Sequence, residues 1–321
     1  MKETTKSTYC IPCTEVVRCV EFSPFQWSFN LLAIGTAKRV CVMSCRFQEE
    51  DKEVDGLDYR IVKDIQVDVG LACLAWSPAT SLNVLPKILS FVAGCDDHRV
   101  RVFYSNMKDT DNLQVLQGHT DFVNAVTFDP SEGQRVASTG DDLTCRVWNV
   151  EAQEEEIVFR LTAPGMAVAW HSDEPLKLMV GQKDGLIRFF SLDNQLPVMS
   201  LSCGVSPLMD CDWSPHNSLL AGAVAGTDWV VFDTSRSSMP LERRQAHAEG
   251  AQRFRWSRCH ESLLATLGRP ERQIHVFNTR HQQVHVSASL PVAYGLSWHG
   301  QLPVLAVGGD CAVHMWVVES T

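Results

Sequence analysis

Cys10-x-x-Cys13 and Cys41-x-x-x-Cys45 are the pairs in this sequence that come nearest to a metal site. Four thiolates at such spacings hold zinc when a tight knuckle presents them. Cys41 instead alternates with Val40 and Val42, as strand residues do, and no knuckle turn accompanies it. The expectation is buried free thiols and no metal. The eleven histidines include no His-Glu-x-x-His and no Cys-His pairing. Nucleophile elbows, phosphate loops and dinucleotide loops are absent, and no two carboxylates fall in a recognisable catalytic frame. The run AGAVAG at 221–226 sits at a strand–turn position with no helix start after it, so its glycines serve a turn rather than a phosphate. These residues predict no enzyme, no cofactor and no small-molecule substrate.

Two charge features stand out. Residues 46–59, RFQEEDKEVDGLDY, carry Glu49, Glu50, Asp51, Glu53, Asp55 and Asp58 against Arg46 and Lys52. They lack the ligand spacing of a calcium loop. A solvated acidic surface insertion is expected, with partner docking as the alternative. Later, nine arginines from Arg236 to Arg280 face only four acids in the same stretch. Surface charge that keeps the chain soluble is the expected role, and a patch for an acidic partner is the next. The whole chain carries a net charge of −10. Such a chain repels phosphate, and the arginine stretch has no interleaved stacking platform, so direct nucleic-acid binding is not expected.

The 321 residues are 45% hydrophobic and 21% charged, which is globular composition. No apolar run approaches the roughly 18 residues of a membrane helix, so no membrane insertion is expected. The opening MKETTKSTYC has no apolar core and is not expected to act as a secretory signal. Twelve cysteines then read as reduced thiols of a cytosolic or nuclear protein.

The elements that would position any of these residues recur. A short apolar segment ending in an aromatic appears seven times, at Phe22, Trp76, Phe128, Trp170, Trp213, Trp256 and Trp298. The spacings are 54, 52, 42, 43, 43 and 42, and the first two contain insertions. After each comes an apolar strand with a small residue, a turn, and a strand ending in an aromatic or Met. Weaker fourth strands follow at 60–65, 113–116, 157–160, 197–202 and 284–289. Four strands in about 42 residues is the period of a β-propeller blade. The reading is all-β: one seven-bladed propeller over 1–321. Residues 312–318 form the third strand of the seventh unit, and Thr5–Ile11 is expected to supply its outer strand, closing the ring and removing exposed edges.

The third unit is the sharpest. Gly118-His119-Thr120-Asp121, Phe128-Asp129-Pro130, Ser138-Thr139-Gly140-Asp141-Asp142 and Trp148-Asn149 resemble the WD40 repeat. That resemblance implies a structural tetrad of His119, Ser138, Asp142 and Trp148. Asp142 can accept from His119, His119 can reach Ser138, and Ser138 can reach the Trp148 indole. A buried polar chain of this kind is tolerated when every member is satisfied. The other units keep only fragments of the pattern, so the repeats are divergent.

The stretches 117–134, 47–51 and 222–240, with 206–213, 295–299 and 307–310, resemble the small β-propeller nucleoporins of the Y-shaped scaffold complex of the nuclear pore. The resemblance implies a non-enzymatic subunit of the outer ring. It implies as partners the large arm nucleoporin, a propeller plus α-solenoid chain, and other subunits of that complex. It also implies a place at the nuclear envelope, support of mRNA and protein transport, and kinetochores in mitosis. Two other readings are weighed beside it. A WD40 substrate receptor of a cullin ubiquitin ligase often carries Trp-Asp-x-Arg after a third strand. Here the nearest approximation is Phe277-Asn278-Thr279-Arg280. A reader of modified peptides would need an aromatic cage, for which Trp27 or Trp229 are candidates. Which loops bind a partner is not legible in the residues.

Overall fold

The computed structural model describes residues 5–108, 110–280 and 284–318. Among them are seven four-stranded antiparallel sheets and no α-helix. Each sheet is one blade of a seven-bladed propeller. Blade three, for example, runs Val123–Phe128, Arg135–Gly140, Thr144–Asn149 and Glu154–Arg160 from the channel outward.

Burial follows position in the blade, and the sequence pattern follows burial. Second strands are covered on both faces by neighbouring blades, so they read as near-continuous apolar runs. Leu31–Gly35, Leu89–Cys95 and Val304–Gly308 are buried at every position. Outer strands have one wet face and alternate, as in Glu154–Arg160, where Ile157 and Phe159 point inward. Small residues in the second strands let the next blade's rings approach. A Cβ on Gly222 would stand 2.3 Å from the Phe254 ring, so only glycine fits there. The recurring indoles also staple blade to blade. Trp76 donates through Nε1 to the Glu21 carbonyl at 2.9 Å, and Trp298 to the Arg255 carbonyl at 3.3 Å. Inner strands of blades two to seven each carry a register shift, which sharpens their twist around the channel.

The ring is closed by an N-terminal strand, Tyr9–Pro12, paired antiparallel with Ala312–Val317. The strand lies later than Thr5–Ile11. Pro12 ends it, having no N–H to continue the ladder. Thr5 and Thr8 reach further partners. Thr5 N–H donates to the Ser287 carbonyl of blade six at 2.8 Å, and the Trp316 indole donates to the Thr5 carbonyl at 3.1 Å. The N-terminal segment thus ties blade six to blade seven. Ile11 is fully buried beneath it.

The acidic stretch 46–59 is only partly a loop. Strands Arg39–Phe47 and Leu57–Gln66 continue the blade-one hairpin into it, with Phe47 opposite Leu57 and Arg46 opposite Asp58. The cross-strand ion pair Arg46–Asp58 at 2.6 Å and the buried Phe47 ring extend the ladder. Phe47 packs against Tyr9, Phe22 and His299. Blade five has an outer strand with no alternating signal, Glu242–Gln245. Arg244 lies over the Trp229 ring at 5.5 Å, so an arginine stem supplies the cover an apolar residue would give.

Candidate functional site

His119 enters blade three just before its inner strand, Ser138 lies in the second strand, Asp142 lies in the next turn and Trp148 lies near the end of the third strand. The fold brings all four together. His119 Nδ1 is 2.8 Å from Asp142 Oδ2, His119 Nε2 is 2.7 Å from Ser138 Oγ, and Trp148 Nε1 donates to Ser138 Oγ at 2.8 Å. Asp142 also accepts from Thr120 N–H at 3.2 Å and Thr144 Oγ1 at 2.7 Å. Burial holds the His119 pKa below its ordinary value, while bonds from Thr144 and His119 hold the Asp142 carboxyl below the usual carboxylate range despite burial. The consistent assignment is a neutral imidazole donating from Nδ1 and accepting at Nε2. Ser138 is fully buried, so this hydroxyl meets no substrate. The chain of bonds pins the second and third strands to the entry loop.

Blade six holds a partial copy. His247 Nε2 is 2.9 Å from Thr266 Oγ1, and the His247 ring stacks on His275 at 4.7 Å. Burial pushes the His247 pKa down to about 3. His247 stands nine residues before Trp256, as His119 stands nine before Phe128. That spacing was the available signal, hidden because Ala246 replaces the expected glycine.

A central channel runs inside the inner strands. One cavity of about 380 Å³ there is lined by Glu21, Asp210 and Asp212 together with Arg253, Arg255 and Arg258. Arg255 Nη1 donates to Asp210 Oδ2 at 2.7 Å, and Phe254 N–H donates to the same oxygen at 3.1 Å. Burial raises the Glu21 pKa to about 7, against the pull of Arg255 and Arg258. Burial likewise raises Asp212. Three acids and three arginines give the cavity a mixed-charge lining, which also includes Cys73, Cys211 and Ser214.

The remaining late arginines disperse. Arg236 pairs with Asp233 at 2.9 Å, Arg272 donates to Gln252 at 2.6 Å and lies over Tyr294, and Arg280 pairs with Glu261. A run in sequence is therefore no single basic patch in space. Cys13, Cys41 and Cys45 have their pKa values raised to about 11, 11 and 12, chiefly by burial. Among the described residues no three His, Cys, Asp or Glu side chains are grouped to hold a metal ion. Trp229 is buried core, whereas Trp27 is 47% exposed at the ring's rim, so the two do not form a cage.

Residues 110–149 match the family model "WD domain, G-beta repeat". The mouse protein Nucleoporin Nup37 is 41% identical to this chain, over 98% of each. The human Nucleoporin Nup37 is 41% identical over 98% of this chain and 97% of its own length. The Drosophila melanogaster protein of that name is 28% identical over 99% of each.

Proposed function

Because the chain belongs to the Nup37 family of nucleoporins, we propose that it is a non-enzymatic scaffold subunit of the outer ring of the nuclear pore complex. It resides at the nuclear envelope and supports pore assembly, and through it the transport of protein and mRNA. Its permanent partner is the large arm nucleoporin of the Y-shaped complex, and it accompanies that complex to kinetochores in mitosis. The observation that carries this reading is likeness to pore proteins along nearly the whole of both chains, rather than in the repeat alone.

A permanent partner implies a buried interface of roughly 2,000 Å² or more, held by apolar and arginine contacts. Such an interface survives about 0.5 M salt, where rim charges are screened. The test is purification of the tagged protein from cells at that salt, with partners identified and quantified by mass spectrometry. Stoichiometric nuclear pore subunits are expected. Elution alone, or with a cullin adaptor, overturns the reading.

A further inference from the structure

The first two repeats break the period of the rest, and their long inner-to-second strand connections meet in space. The connection from inner to second strand spans 23–30 in blade one and 77–88 in blade two. In the next four blades it spans 129–134, 171–176, 214–219 and 257–262. Both long connections expose large apolar side chains. Trp27 is 47% exposed, whereas each of the other eight tryptophans is 7% exposed or less. Val84 and Leu85 are 66% and 76% exposed. Ile61, on the outer strand of blade one, is 61% exposed and shares a groove of about 280 Å³ with Trp27, Leu82, Lys87 and Met107.

The groove is built. Trp27 Nε1 donates to the Pro78 carbonyl at 3.1 Å, Asn83 Nδ2 donates to the Trp27 carbonyl at 3.3 Å, and the Trp27 ring stacks on Phe25 at 5.4 Å. An exposed indole held this firmly loses little freedom when a partner covers it, which is the property of an interface anchor. The charges lining the groove are Arg60 and Lys87, with no carboxylate, on a chain whose net charge is −10. Apolar floor and cationic lining together call for a partner that is apolar and acidic.

We propose that this groove, between blades one and two, docks a segment of another nuclear pore subunit that presents large apolar side chains flanked by acidic residues. The proposal rests on the pore-subunit reading above. The test compares Ile61→Asp, Trp27→Ala and Arg60→Glu/Lys87→Glu, all lining the groove, with wild type in the same co-purification, at about 0.15 M and about 0.5 M salt. Leu241→Asp, on the similarly exposed blade-five surface, is the control. Each variant's melting temperature checks its fold. The first two variants are expected to lose pore subunits at least about tenfold at both salts. The charge reversal is expected to lose them chiefly at the lower salt, and the control to keep them. If wild type captures pore subunits and Ile61→Asp captures them equally, the groove proposal fails and the function stands. If wild type captures none, or only a second copy of this chain, the function reading falls and the groove proposal with it.

Discussion

Ser138→Ala is the sharpest perturbation of the blade-three network. The hydroxyl serves two groups at once, accepting from the Trp148 indole and facing His119 Nε2. Ser138 and Trp148 are 0% and 1% exposed, so water does not replace what is lost. Each orphaned buried polar group costs about 1–3 kcal/mol. Two of them put the expected loss at about 3 kcal/mol. A chain of this size shifts by roughly 2 °C per kcal/mol, so the melting temperature should fall by about 6 °C. Trp148→Phe provides the internal check. It removes the donor along with its need, so its cost comes mainly from lost indole volume. In the double variant only His119 Nε2 is orphaned. The double loss should therefore fall short of the sum of the singles by about 1–2 kcal/mol. Thermal and urea unfolding of the four proteins measure this cycle. If Ser138→Ala melts within about 1 °C of wild type, or if the two single losses simply add, the bonds do not pin the blade as argued.

Deleting residues through Pro12 removes the closing strand, the buried Ile11 and the Thr5 bridge to blade six. The expected loss is about 5 kcal/mol, from Ile11 burial and several ladder bonds, and unchanged melting and solubility would contradict it. Glu21 has a folded pKa of about 7, above its ordinary 4.5. The native state therefore holds the proton more tightly, and this contribution, present at low pH, is lost as pH rises through 7. Glu21→Gln should accordingly match wild type near pH 4 and exceed it by about 3 kcal/mol near pH 8, judged by urea midpoints. An equal offset at both pH values would refute the assigned cause. Thr266→Val in blade six takes the hydroxyl from one histidine only. It should cost about half as much as Ser138→Ala, roughly 1–2 kcal/mol by unfolding.

The repeat was legible because its signals are physical necessities of a blade. Second strands buried on both faces must be apolar, and the aromatics at Trp76 and Trp298 must recur because they clamp the preceding blade's backbone. Where another chemistry performs the same task, the signal vanishes. Glu242–Gln245 forms an outer strand through an arginine over an indole, so period-2 apolarity never appears. His247 escaped because the neighbouring glycine is missing while the nine-residue spacing remains. The hairpin at 46–59 was masked by its acids, although Phe47 and Leu57 at its base are what extend the ladder. The channel charges were not legible at all. Glu21, Asp212 and Arg258 come from three different blades, and only closure of the ring makes them neighbours.

That closure also orders events in time. Thr5 and the Trp316 indole that it accepts from are 311 residues apart. A ribosome adding about 5–20 residues per second needs about 15–60 s to cover that distance. Throughout that interval the closing strand Tyr9–Pro12 has no partner, while six complete blades emerge behind it. Tyr9–Pro12 suits such a wait, being four residues long with Ile11 alone fully buried in the finished ring. A longer or more apolar strand would offer an edge to any neighbouring chain during synthesis. The weakness of this strand as an isolated element is thus what lets the latch stay open until the polypeptide is ready to shut.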